Sequence, residues 1–152
     1  MSIVPRDYAQ LELGLIASAA RADRMRAVVD AVWNQLAATG ISWVGFYLHE
    51  GGDELILHTC RNRPACSPIG LYGACGTVFK SGEPLVVRDV RDLGDHYVAC
   101  DPRDQSEVVI PCFEHGKVWG VLDLDSFDVG AFDESDVAGL TALLKRAGLT
   151  EP

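Results

Sequence analysis

The stretch EVVIPCFEHGKVWGVLDLDS, Glu107–Ser126, contains two runs of β-branched and apolar residues on either side of Glu114-His115-Gly116. Such runs favour strands, and a short linker containing glycine favours a tight turn, so the stretch predicts an antiparallel hairpin. Asp123 and Asp125 are two residues apart in the second run, so both carboxylates are expected on one face of the sheet. The opposite face is expected to carry Val118, Leu122 and Leu124.

A second hairpin is predicted upstream. The run ISWVGFYL, Ile41–Leu48, leads through Gly51-Gly52-Asp53 into ELILHT. Alternation along the first run places Trp43 and Tyr47 on one face. Its other face is expected to carry Val44, Phe46 and Leu48.

Helical patterns flank these hairpins. Apolar residues at helical spacing predict helices over about Tyr8–Ala20 and Arg24–Ala38, the latter stopped by Gly40. A short helix is expected over Ala74–Lys80, PLVVRDV is expected to form a strand, and a last helix should begin near Asp133 and stop by Gly148. The pattern predicts an α+β fold, in a single domain that spans residues 1–152 with a core of about residues 8–149.

The charge of the chain excludes some classes of partner. Its 152 residues include 13 Lys and Arg against 22 Asp and Glu, for a net charge of −9. Binding to nucleic acid or to an anionic membrane surface relies on basic residues, so we expect neither. No apolar run approaches the roughly 20 residues that cross a bilayer, and no signal peptide is visible, so a cytoplasmic location is expected.

The chain has five cysteines: Cys60, Cys66, Cys75, Cys100 and Cys112. An odd number of cysteines without a secretion signal is not typical of a disulfide framework. No Cys-x-x-Cys pair and no zinc-finger spacing of histidine is present, so no structural metal site is expected. For any one cysteine alone, a small buried residue or an inert surface thiol is the simpler interpretation.

The paired aspartates suggest a pocket. Two neighbouring carboxylates near the centre of a sheet disfavour each other's ionisation. With an aromatic wall of Trp43 and Tyr47, they could hold a small cation with an apolar tail. Alternatively, Asp125 caps the turn at Ser126, Asp123 pairs with an arginine, and the aromatic residues pack in an ordinary core.

Seven motifs, in order along the chain, resemble free methionine-(R)-sulfoxide reductase, a catalytic branch of the GAF-domain family: WVGFYL, PAC, GACGT, HYVACD, SEVVIP, GVLDLDS and FDESD. The similarity covers about Tyr8 to Leu149. The resemblance implies a central antiparallel sheet flanked by N- and C-terminal helices. It also implies reduction of free L-methionine-(R)-sulfoxide with thioredoxin as the reductant, no bound cofactor or metal, and a homodimer.

The resemblance further implies roles for single residues. Cys100 corresponds to the cysteine that attacks the sulfoxide, and Cys66 and Cys75 correspond to its disulfide-forming partners, with Cys66 favoured as the first. The remaining matches are the pocket aromatics Trp43 and Tyr47 and the substrate-binding carboxylates Glu107, Asp123 and Asp125. A protonated acid activates a sulfoxide, and we expect Glu107 and Asp125 to act on its oxygen and Asp123 on binding.

The chain also departs from the family pattern. It has TCRNR, Thr59–Arg63, where the family has a stretch rich in Gly, Phe and Gln, and its Cys66–Cys75 segment is one residue shorter. Cys60 and Cys112 fall outside the matched set and are expected to be structural. The rival functions are a non-catalytic GAF sensor that binds a small ligand, and a thiol peroxidase or redox sensor that uses Cys100 without the pocket.

Overall fold

The computed structural model describes residues 5–15, 17–96 and 100–152. Its six strands form one antiparallel sheet in the order β3-β2-β1-β6-β5-β4. The strands are β1 (Trp43–Leu48), β2 (Glu54–Arg61), β3 (Ile69–Gly70), β4 (Leu85–Val87), β5 (Ser106–Glu114) and β6 (Lys117–Ser126).

Three α-helices cover the two faces of the sheet. They are α1 (Arg21–Leu36), α2 (Ala74–Ser81) and α3 (Glu134–Arg146), and short 3-10 segments cover Tyr8–Gln10, Ala37–Thr39 and Val90–His96. Helices α1 and α3 enclose the larger apolar cluster on one face, and α2 packs on the other face with the smaller cluster. The predicted α+β fold with an antiparallel sheet is confirmed. Among the described residues, no helix has the length and apolar character needed to cross a membrane.

Both predicted hairpins form. In the β5–β6 hairpin, Glu114 pairs with Lys117 across His115 and Gly116, whose φ angles are 54° and 74°. Two successive positive φ angles match the right-handed twist of the flanking strands. The short helix and the last helix also lie where the sequence predicts them. Asp133 caps α3 by accepting a hydrogen bond from the amide of Ser135.

The predicted face of Val118 is wrong. Cys112 pairs with Gly120 and Phe113 with Val118, so Trp119 is an extra residue in β6. A bulge of one residue reverses the side-chain alternation beyond it. Val118 therefore packs on the α2 side of the sheet, whereas Leu122 and Leu124 lie in the cluster beneath α1 and α3, as predicted.

The predicted helix over Tyr8–Ala20 is also wrong, apart from the 3-10 turn at Tyr8–Gln10. Arg146 donates hydrogen bonds to the carbonyl oxygens of Tyr8 and Leu11, so these acceptors are satisfied without a helix. The Tyr8 ring lies against Gly139 of α3, and its hydroxyl donates to Asp136 at 2.6 Å. Ile16, an inward residue of that prediction, lies outside the described residues.

The three central strands bring the predicted site residues into two rows. Trp43, Asp125 and Glu107 pair across β1, β6 and β5 in one row. Gly45 and Asp123 pair in the next row, two positions along β6 from the first. The sheet register therefore places an indole and three carboxylates on the face covered by α2.

Candidate functional site

Three carboxylates form the base of the site. Glu107 is 7% exposed and Asp123 is 5% exposed, and the partly buried Asp125 lies opposite Glu107 on the same face. Burial, the largest cause, raises the pKa of Glu107. Burial together with the neighbouring acids raises the pKa values of Asp123 and Asp125 well above their usual range. These carboxyl groups are therefore poised to hold protons that exposed acids would lose.

Asp123 lacks the partner that an ordinary structural role would give it. Within the described part of the chain, its Oδ1 atom is buried and has no hydrogen-bond partner. No ion pair joins Asp123 to an arginine among those residues. A buried carboxylate oxygen without a partner is costly in a fold, and it points to a ligand.

Trp43 and Tyr47 form the aromatic wall, with ring centroids 6.0 Å apart. The indole of Trp43 lies over Gly45, where a Cβ atom would come within 2.3 Å of the ring. Glycine at this position therefore allows the indole to reach across the sheet. Burial and the charge of Asp123 raise the pKa of Tyr47, so its hydroxyl remains a donor.

The two aromatic residues also hold the loop that carries Cys66. Trp43 Nε1 donates to the carbonyl oxygen of Arg63 at 2.9 Å, and Tyr47 Oη donates to that of Cys66 at 2.8 Å. The Leu57 amide donates to Ser67 Oγ at 3.0 Å. The wall of the pocket and the position of Cys66 are thus set by the same two side chains.

Cys66 and Cys100 are joined by a disulfide, with their Cα atoms 5.5 Å apart. That separation lies in the usual range for a disulfide. Both cysteines are exposed at the mouth of the pocket. Cys100 directly follows residues 97–99 of the HYVACD motif, which lie outside the described residues.

Asp101, the acid next to Cys100, is paired with two arginines. Arg63 and Arg103 both form ion pairs with Asp101, and hydrogen bonds from Arg103 lower the pKa of Asp101 to about 2. Both guanidinium groups also lie over the ring of Phe127. The two arginines therefore balance the negative charge of Asp101, which reduces its repulsion of a Cys100 thiolate.

Cys75 lies at the base of the pocket rather than at its mouth. It is 5% exposed on the first turn of α2. Burial, then the charges of Asp123 and Glu107, raise its thiol pKa well above the usual value. The backbone of Leu71 approaches Gly76 so closely that a Cβ atom there would lie 2.3 Å from it, and this contact seats α2 against the preceding loop.

Asp104 is a site residue that the sequence reasoning missed. It is 7% exposed, lines the pocket, and accepts a hydrogen bond from Ser42 Oγ at 3.3 Å. Burial and the charge of Asp101 raise its pKa to about 6. Its place in an acidic run soon after Cys100 was a usable signal, but acidic runs are more often solvated.

All eight predicted site residues belong to this one region. Seven of them line a cavity of about 40 Å³, and Cys66 is tied to it through its disulfide. That volume is small compared with the few hundred Å³ of a typical ligand pocket. The lining residues are Trp43, Tyr47, Ala65, Ile69, Gly70, Gly73, Ala74, Cys75, Gly76, Cys100, Asp104, Glu107, Asp123 and Asp125.

The TCRNR stretch, which departs from the family pattern, and the two remaining cysteines lie around the site. Arg61 pairs with Asp30 of α1, and Arg63 pairs with Asp101, so two residues of TCRNR bind the loop to its surroundings. Cys60 is partly buried and its thiol donates to the Arg63 carbonyl oxygen. Cys112 is fully buried in the cluster beneath α1 and α3.

Comparison with known proteins now defines the family. A family model described as "GAF domain" matches residues 18–150. The chain belongs to the GAF domain family. Within this family it is 38% identical over 108 residues to "Free methionine-R-sulfoxide reductase" of Escherichia coli, which covers 70% of this chain and 64% of the relative. The other curated relatives that it matches are covered over 62% to 67% of their lengths.

Two solved structures of GAF proteins extend the likeness over more of the chain. The fRMsr of Staphylococcus aureus, in its reduced form, has a TM-score of 0.82 and 34% identity and covers 95% of each chain. Free methionine-R-sulfoxide reductase from Neisseria meningitidis, in complex with its substrate, has a TM-score of 0.75 and 33% identity. It covers 84% of this chain and 77% of its own. The resemblance read from the sequence motifs is confirmed.

Proposed function

We propose that this protein reduces free L-methionine-(R)-sulfoxide to methionine. The observation that carries the proposal is one cavity that combines Cys100, a disulfide partner at its mouth, and buried carboxylates of raised pKa below an aromatic wall. The likeness to free methionine-R-sulfoxide reductases supports the choice of substrate. A small-ligand sensor needs neither a paired thiol at the pocket mouth nor a protonated acid at its base.

Substrate binding relies on charge and on apolar contact. Asp123, whose Oδ1 atom has no hydrogen-bond partner among the described residues, accepts from the ammonium group of the free amino acid. Trp43 and Tyr47 contact the aliphatic part of the ligand. Because the disulfide form has a cavity of only about 40 Å³, the substrate enters the dithiol form, in which the loop carrying Cys66 is released from Cys100.

Activation of the sulfoxide falls to the acids in the row with Trp43. Glu107 and Asp125 face each other across β5 and β6, and burial raises the pKa of both. A protonated carboxyl group donates to the sulfoxide oxygen and makes the sulfur electrophilic. Cys100 can work in these acidic surroundings because its thiolate is needed only when the ligand is bound. The ammonium group of the ligand then offsets the negative charge of the acids.

The redox steps balance with two thiols and an external dithiol. The Cys100 thiolate attacks the sulfoxide sulfur, the oxygen passes to Cys100 as a sulfenic acid, and methionine leaves. The Cys66 thiol then displaces hydroxide, which leaves as water with a proton, and the Cys66–Cys100 disulfide forms. Thioredoxin reduces that disulfide by exchange and is itself oxidised. Cys75 is the alternative partner, and no bound cofactor or metal takes part.

The cellular setting belongs to the same proposal. Thioredoxin needs access to the disulfide, and both cysteines are exposed. A cytoplasmic location fits a reductant that keeps thiols reduced. A homodimer is expected by analogy with the family.

The test is a coupled assay with separated epimers of free methionine sulfoxide. Thioredoxin, thioredoxin reductase and the protein should together consume NADPH with the R epimer and not with the S epimer. A protein that binds the R epimer without consuming NADPH or releasing methionine would instead be a sensor. Consumption of NADPH with hydrogen peroxide alone, and not with the sulfoxide, would indicate a thiol peroxidase.

A further inference from the structure

We infer that the base of the pocket also binds zinc, through the Cys75 thiolate and the carboxylates of Glu107 and Asp123. One possible ligand atom from each residue lies within 4.8 Å of the other two, and all three residues are buried. The sulfur and oxygen ligands of one tetrahedral zinc ion lie about 3.6 Å apart, given a Zn–S bond of about 2.3 Å and a Zn–O bond of about 2.1 Å. Small side-chain rotations therefore bring the three atoms to bonding distance.

An independent observation points to a cation at this position. Asp123 is 5% exposed, and its Oδ1 atom has no hydrogen-bond partner within the described part of the chain. A buried, unpartnered carboxylate oxygen is destabilising unless it is protonated or meets a positive charge. A divalent ion at the centre of the three ligands supplies that charge and coordinates one or both Asp123 oxygens.

The composition of the ligand set selects among metals. A thiolate is a poor ligand for magnesium or calcium, which prefer six or more oxygen ligands. Zinc is bound by sulfur and carboxylate oxygen in tetrahedral sites, often with three protein ligands and a water. The adjoining cavity of about 40 Å³ has room for that water. On binding, Cys75 and any protonated carboxyl group release their protons to solvent, and no electron is transferred.

The three ligands come from separate elements, which is why no spacing in the sequence indicates the site. Cys75 lies on α2, Glu107 on β5 and Asp123 on β6. The set is also distinct from the thiols at the pocket mouth, since Cys66 and Cys100 are bonded to each other. Because Glu107 and Asp123 are the proposed substrate ligands, a bound zinc ion would exclude the substrate.

The disulfide form allows the site to be tested without any turnover. Protein in which the Cys66–Cys100 disulfide has been verified by mass is titrated with zinc chloride against a chromophoric chelator. We expect one zinc ion per chain, with magnesium and calcium at least about 100-fold weaker. Cobalt(II) should give a thiolate charge-transfer absorption. Because catalysis is not measured, this result stands or falls separately from the reductase proposal.

Matched variants identify the ligands. Cys75→Ala and Asp123→Asn should each weaken zinc binding by about tenfold or more, and Cys75→Ala should abolish the cobalt–thiolate band. Cys60→Ala removes the partly buried thiol outside the set and should leave both readouts unchanged. Asp123→Asn keeps the size and shape of the side chain, so it keeps the test valid if Cys75→Ala does not fold. Zinc affinity that is unchanged in Asp123→Asn, or absent in the wild-type protein, would overturn the inference.

Discussion

Glu107 and Asp125 lie directly opposite each other on β5 and β6, at 7% exposure for Glu107. Like charges at opposite positions destabilise a sheet. Burial raises the pKa values of both groups, which favours their uncharged forms and so weakens the repulsion. The register of the hairpin thus brings two acids of raised pKa together in the row that contains Trp43.

Replacement of Cys100 by serine should abolish turnover. An alcohol is far less nucleophilic toward sulfur than a thiolate, and we expect a loss of about 1000-fold or more. The thioredoxin-coupled NADPH assay measures it. Cys112→Ala, which changes a buried cysteine beneath α1 and α3, is the control and should retain activity. Multiple turnover by Cys100→Ser at near wild-type rate would remove Cys100 from the mechanism.

Replacement of Cys66 by serine should limit the protein to one methionine per site. The chemical step needs only Cys100, but recycling needs the disulfide partner that lies 5.5 Å away by Cα separation. Quantifying methionine released per chain in a single mixing experiment measures this limit. Normal recycling in Cys66→Ser would show that Cys75 is the working partner, and loss of recycling in both single variants would show that both take part.

Replacement of Tyr47 by phenylalanine should slow formation of the disulfide. The change removes the hydrogen bond to the Cys66 carbonyl and keeps the ring. A loss of about 1 kcal/mol corresponds to roughly a fivefold slower step. Rapid quenching with an alkylating agent, followed by mass analysis, measures the rate. Tyr72→Phe, at a 60% exposed position, is the control. Equal rates in Tyr47→Phe and the wild type would mean that this hydrogen bond does not position the loop.

Free methionine sulfoxide should be a far better substrate than its N-acetylated form. Acetylation removes the ammonium charge and leaves the buried Oδ1 atom of Asp123 without a partner, a penalty of several kcal/mol. We expect kcat/KM to fall by about 1000-fold or more, since about 1.4 kcal/mol corresponds to a tenfold change. The measurement uses separated R epimers of both compounds. Comparable efficiency for the two would exclude the ammonium contact at Asp123.

Asp104 predicts a pH dependence of stability. Its pKa is raised from 3.8 to about 6 in the folded protein, so the folded state binds more protons than the unfolded state between these values. The free energy of unfolding therefore falls as pH rises through this window. Asp104→Asn removes the penalty and should be about 1–3 kcal/mol more stable than the wild type at pH 7.

The control for Asp104 is the same comparison at low pH. Below pH 3.8 the wild-type carboxyl group is protonated in both states, so its difference from the amide should nearly vanish. Urea unfolding of both proteins across the window measures the effect. A constant difference at all pH values would assign the effect to packing or to the Ser42 hydrogen bond instead.

Much of this site could be predicted because strands have a simple alternation. The shared face of Asp123 and Asp125, and that of Trp43 and Tyr47, follow from a period of two, and both hold because β1 and β6 pair without interruption at these residues. The resemblance supplied the cysteines and Glu107. The sequence predicted that the acids lie close together, and their position beneath α2 is the main cause of their raised pKa values.

The missed features depend on tertiary contacts. The bulge at Trp119 reversed the face of Val118, and nothing in the local apolar pattern indicates an extra residue in a strand. The segment after Tyr8 has helical spacing, but Arg146 at the far end of the chain takes its carbonyl groups. Asp104 was missed because its burial depends on the fold of the loop that follows Cys100, which charge alone does not reveal.

The loop that carries Cys66 is held through its main chain. Trp43 and Tyr47 bond to the carbonyl oxygens of Arg63 and Cys66, and every amino acid has such an oxygen. These two anchors do not depend on which side chains the loop carries, so the TCRNR sequence is compatible with the site, although Arg61 and Arg63 add ion pairs to Asp30 and Asp101. The number of residues between the anchors is constrained, because the carbonyl groups of Arg63 and Cys66, three residues apart, must both reach their donors. Homologous chains should thus vary in the amino-acid sequence of this loop while keeping the number of residues between its two anchors.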